Sequence, residues 1–140
     1  MSGLLWHSCF LVALTASPLS GPARLYDVTV ETGMPHLEEN LRYATTRNQR
    51  CLARKDLASV FPILEHPSLA GCKLSEQSSD ENTVVYGLAC ESDTETTGKA
   101  TWHLGEHAIR GTLDVKLGGK NMTFFQRVTA TAIGDCPSVG

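Results

Sequence analysis

Between residues 107 and 117 every second position is apolar or glycine, Ile109, Gly111, Leu113, Val115 and Leu117, while Arg110, Thr112, Asp114 and Lys116 between them are polar. A period of two marks a strand with one face in a core and one in water, a pattern that no helix can lay along a single side. Gly118-Gly119 follows, a pair that tolerates the positive φ of tight hairpin turns. Folding the chain there sets Val115 opposite Met122, Leu113 opposite Phe124 and Ile109 opposite Val128. A turn at Gly105-Glu106 likewise places Trp102 opposite Ile109 and Ala100 opposite Gly111, and a return across residues 91–97 brings Tyr86 opposite Trp102 and Leu88 opposite Ala100. In each pairing the apolar sets share one face.

These pairings predict a four-stranded meander. Val85, Gly87 and Ala89 make the second face of their strand apolar as well, which predicts cover on both sides. Residues 25–32 alternate through Tyr26, Val28 and Val30 as a first strand, and residues 45–52 form a poorer one. Residues 56–61 can cap and run one or two helical turns before Pro62 stops them. The expected fold is all-β, an antiparallel meander closing into a small barrel or a strongly curled sheet, with one short helix near 56–61 and two disulfides.

The cysteines bear on both compartment and framework. Residues 1–23 contain no Lys, Arg, Asp or Glu, and the 12 basic and 15 acidic residues begin at Arg24. Within that stretch residues 9–16 are an apolar run, Ser17-Pro18 breaks it, and Gly21-Pro22-Ala23 supplies small residues, so a signal peptide over 1–23 and a single disulfide-linked β domain over 24–140 are expected. The run is too short to span a bilayer, and the mature chain offers no transmembrane segment. Cys51, Cys72, Cys90 and Cys136 lie in the domain. Cys72 and Cys90 are equally spaced about Glu81 in the polar turn Asp80-Glu81-Asn82, so a hairpin centred there opposes them and leaves Cys51 for Cys136. Long, irregular spacings without Cys-x-x-Cys favour bridges over a metal or redox site.

A formal net charge of −3 without like-charge blocks gives no footprint for nucleic acid or an anionic membrane. His103-Leu-Gly-Glu106-His107 spells a zinc-peptidase pattern, but that chemistry needs both histidines on one helical face, and here Gly105 is central and strands flank the segment. His36 and His66 stand beside Pro35 and Pro67, away from it. Neither a catalytic set, a metal site nor a cofactor is expected.

Two groupings remain. Ala100, Gly111 and Gln126, bordered by Trp102 and Phe124, form an inner row of small residues and an amide. That row reads either as a ligand cavity or as a place where the strand bends and Gln126 bonds backbone. On the outer face Lys99, Arg110 and Arg127 cluster, with Arg110 and Arg127 opposed on adjacent strands and Phe125 exposed beside them, a candidate partner surface or an ordinary solvated face.

The order of features resembles a family of small secreted proteins of Gram-negative bacteria catalogued only as a domain of unknown function. The residues that carry the likeness are Leu25-Tyr26-Asp27-Val28-Thr29, Met34-Pro35, Cys51-Leu52, Cys72, Cys90, Gly98-Lys-Ala-Thr-Trp102, Gly111-Thr112 and Gly134-Asp135-Cys136. Arg24 and Tyr26 stand where the family usually has glycine and tryptophan. The resemblance implies a periplasmic or secreted location, four paired cysteines and a β-rich fold, and brings no activity. The expectation for function is a non-enzymatic binding module of the cell envelope, its partner an envelope protein or a wall component. The second reading is a carrier of a small apolar ligand in a β-barrel cavity.

Overall fold

The structure is a computed structural model that describes residues 22–33, 43–91, 95–118 and 122–137. The expected signal segment falls almost wholly outside these residues, as does His36. Seven strands form one antiparallel sheet in the order β2-β1-β7-β6-β5-β4-β3. They are β1 Arg24–Gly33, β2 Tyr43–Leu52, β3 Cys72–Ser79, β4 Thr83–Cys90, β5 Thr97–Leu104, β6 Ala108–Leu117 and β7 Met122–Asp135. The five strands from β3 to β7 are the meander, and β1 returns to pair with β7 while carrying β2 on its other side. The sheet does not close: β2 and β3 are its edges, which corrects the barrel reading.

Alternation survives from β4 to β7, whereas β3 buries Leu74 and exposes all of residues 75–79. Ile109, Leu113 and Val115 are buried and Arg110, Asp114 and Lys116 exposed, as the period of two requires. The pairing is displaced, however. Val115 faces Phe124 and Ile109 faces Ala130, two residues from the expected partners, because four residues, not two, separate the last pair Leu117 and Met122. Trp102 faces Gly111, and the turn is Glu106-His107, closed by the Gly105 N–H donating to the Ala108 carbonyl at 2.9 Å. Tyr86 faces Ala100, and Val84 faces Trp102. Each slip is by two, so no residue changes face. On β4 the second face is not covered, since Ala89 is exposed and Val85 and Gly87 only half-buried.

The β3–β4 hairpin turns where expected. Asp80 Oδ1 accepts the N–H groups of Asn82 and Thr83, both at 2.8 Å, and fixes the turn. Cys72 lies directly opposite Cys90 and is bridged to it, with Cα atoms 3.9 Å apart. Cys51 is bridged to Cys136, tying the end of β2 to the end of β7 across 85 residues.

One face of the sheet is roofed by the connection between β2 and β3. It contains three 3-10 turns, Arg54–Ser59, Pro62–Glu65 and Pro67–Leu69, where a single helix near 56–61 was expected. Asp56 caps the first turn by accepting the Ala53 N–H at 2.7 Å. Prolines open the other two, which breaks the connection into short pieces. Leu57, Val60, Phe61 and Leu69 from this roof join Tyr26, Val28, Trp102, Ile109, Leu113 and Val128 of the sheet in one core. At roughly 25 cal/mol per Å² of apolar area removed from water, that shared burial is what holds so short a roof in place.

Candidate functional site

Two directional bonds fasten the roof to the sheet. The Trp102 indole N–H donates to the Leu57 carbonyl at 3.0 Å, with Phe61 against the indole at 5.4 Å between ring centroids. Gln126 is buried, accepts the Ile63 N–H at 3.1 Å through Oε1, and donates from Nε2 to Thr32 Oγ1 at 2.9 Å. These bonds satisfy groups that would be costly to bury unpaired.

The inner row therefore reads as packing. A Cβ placed on Gly111 would lie 2.6 Å from Trp102 Cε2 and 2.7 Å from Cδ2, so the indole occupies the space the glycine leaves. The two-residue slip also breaks the expected row: Gly111 lies between Trp102 and Val128, while Ala100 and Gln126 both face Leu113, and Phe124 faces Val115. Ala100 and Trp102 are fully buried. Of the two readings of Gln126, backbone bonding is the one the geometry displays.

Burial also governs two phenols on this inner face. It pushes the Tyr26 hydroxyl above the usual tyrosine range, with Arg24 opposing, and does the same to Tyr86, where the charge of Glu76 adds and Arg54 opposes. A raised folded pKa gives stability that is present below the unfolded value of about 10 and lost as pH rises through the folded one. Absorbance titration at alkaline pH should accordingly show late phenolate formation. Tyr26→Phe and Tyr86→Phe should each remove amplitude only above about pH 10. Loss of amplitude below that value would show the hydroxyl to be solvated.

The outer face is different in kind. Register sets Lys99 opposite Asp114, Asp114 opposite Phe125, and Phe125 opposite Gly33, one row across four strands. The Phe125 ring lies over Gly33, whose missing side chain makes room for it, and the Arg127 guanidinium sits 4.7 Å from the ring centroid. Phe125 is half-buried by this arrangement instead of exposed as expected. Arg110 and Arg127 do not oppose one another either: Arg110 faces Thr129 and Arg127 faces Thr112, the result of the two-residue slip.

Around this row lies a cleft of about 450 Å³ lined by Gly98, Lys99, Asp114, Lys116, Phe124 and Phe125, among others. Among the described residues the ion pairs are Arg47 with Asp27 and Arg54 with Glu76, so Lys99, Asp114, Lys116 and Arg110 are held by none. The cleft thus offers an aromatic face, two ammonium groups and a carboxylate. Lys99 and Phe125 were legible as a surface. Gly33, Gly98 and Lys116 were not, because their part in it depends on which strands adjoin.

The remaining candidates are dispersed. His103 is exposed on β5 while Glu106 and His107 occupy the turn, so the zinc-peptidase spacing lies on strand and turn, not on a helix. Among the described residues no three His, Cys, Asp or Glu side chains gather as a metal site. His66 Nδ1 accepts the Ser68 N–H at 3.1 Å and caps a 3-10 turn. No helix among the described residues is long and apolar enough to cross a membrane.

A family model described as a protein of unknown function (DUF3617) matches residues 23–136. No curated protein and no solved structure matches the chain.

Proposed function

The chain belongs to the DUF3617 family of proteins of unknown function, and from that premise we propose that it is an exported, non-enzymatic binding module of the cell envelope that holds a wall glycan on its outer sheet face. The observation that carries this reading is the cleft at Phe125. The Phe125 ring, seated on Gly33 and held by Arg127, still lines the cleft and gives a sugar an apolar surface there, and Lys99, Lys116 and Asp114 around it supply donors and an acceptor. The two ammonium groups and Arg127 suit a glycan that carries carboxylates, through charge-assisted hydrogen bonds. Export is supported by two disulfides in one small domain, which fit an oxidising compartment.

Calorimetric titration with soluble wall fragments bearing carboxylates, against a neutral chain of the same sugars, tests the proposal. The acidic fragment should bind, the neutral one more weakly. Phe125→Ala and Lys99→Ala should each weaken binding by about tenfold, the loss expected for truncating one anchor of a contact surface. Binding that ignores both substitutions, or no binding by the acidic fragment, removes the glycan assignment.

A further inference from the structure

The two edges of the sheet are not alike. β3 carries a bulge at Gln77, whose side chain folds over Gly87 on the neighbouring strand, and bulges are a common means of blunting an edge. β2 has no such feature. Its ten residues pair with β1 without a register shift, and it contains no proline. Thr45, Thr46, Arg47, Asn48 and Gln49 are all exposed, so this stretch buries no apolar side chain on either face. Alternate residues of an edge strand turn their N–H and C=O groups away from the sheet. Among the described residues no strand pairs with that row.

We infer that β2 is a docking edge for an extended acidic segment of a partner protein, which adds to the sheet as an eighth strand. Charge selects the occupant. β2 carries Arg47 and Arg50 and no Asp or Glu. A second copy of β2 would add two more arginines and no carboxylate at the roughly 4.8 Å spacing of paired strands, whereas an acidic strand brings carboxylates to both. Arg47 lies on the outer face, where Asp27 pairs with it, and Arg50 on the inner face opposite Tyr26, without an ion pair among the described residues. The partner therefore presents carboxylates to both faces, as an alternating strand can.

The experiment uses protein produced from the full chain and three synthetic ten-residue peptides of Thr and Val. One carries Glu at three positions, one carries Lys at the same positions, and one is the Glu peptide with a central Pro. Amide hydrogen exchange read by NMR should show alternate β2 amides slowed about tenfold or more by the Glu peptide alone, with β3 unchanged. Arg50→Glu, at a site outside any ion pair among the described residues, should weaken that peptide by about tenfold. The inference is overturned by β2 amides that no peptide protects, by equal protection from the Lys or Pro peptide, or by protection at β3. It is overturned equally if β2 becomes protected with rising protein concentration and no peptide, since the edge then belongs to a second copy.

Discussion

Gly111→Val is expected to destabilise the fold by about 3 kcal/mol or more, at the upper end of the cost of overpacking a filled core. The new Cβ alone would fall within 2.6 Å of the Trp102 indole. The indole cannot swing aside cheaply, because its N–H is committed to the Leu57 carbonyl and its ring packs on Phe61. Urea denaturation of the wild type and the variant, followed by far-UV circular dichroism, measures the loss. Coupling identifies the cause: Gly111→Ala should cost markedly less in a Trp102→Ala background than alone. A Gly111→Val variant as stable as the wild type would show an open space at this position and restore the interior-cavity reading.

Loss of the Cys51–Cys136 bridge should destabilise the chain more than loss of Cys72–Cys90. The bridges close 85 and 18 residues respectively. On the chain-entropy relation the longer loop is worth about 4–5 kcal/mol and the shorter about 3. Either is a large share of the roughly 5–15 kcal/mol that stabilises an ordinary domain. Denaturation of the two double Cys→Ser variants ranks them. The reverse order would mean that the β3–β4 hairpin depends on its staple for more than loop closure.

What the sequence settled and what it left open divide along a physical line. Side-chain alternation has period two, so it assigns Leu113 inward and Asp114 outward whatever the turn does. It is blind to slips of two, and the glycines at 118 and 119 invited a tighter turn than the chain makes. The cysteine symmetry about Glu81 succeeded through two features together: beside the turn that Asp80 fixes, Ser79 faces Val84 about a centre just past Glu81, and the bulge at Gln77, between that turn and Cys72, takes up one residue and brings Cys72 opposite Cys90. The roof over the sheet was hidden for a different reason. Its pieces are too short to show helical periodicity, and Leu57, Phe61 and Leu69 look like scattered apolar residues until Trp102 and Gln126 bind between them. The outer cleft was half visible. Lys99, Phe125 and Arg127 could be placed on one face by parity, but the contact that seats Phe125 joins it to Gly33, 92 positions earlier in the chain.

That pairing of the first strand with the last sets the order in which the molecule can be assembled. A chain delivered from its amino end presents β1 and β2 first, yet Tyr26, Val28 and Val30 find their neighbours in Ala132, Ala130 and Val128 only when the last strand has emerged. Until then the early hairpin has backbone partners and no floor to rest on, and Cys51 stays a thiol through the arrival of Cys72 and Cys90, either of which can capture it wrongly. A β3–β4 hairpin that closed its own bridge, 18 residues apart, on emergence would remove both competitors before Cys136 appears. The order of cysteines along the chain thus suits a timetable in which the local bond, formed first, would leave the distant one a single remaining choice.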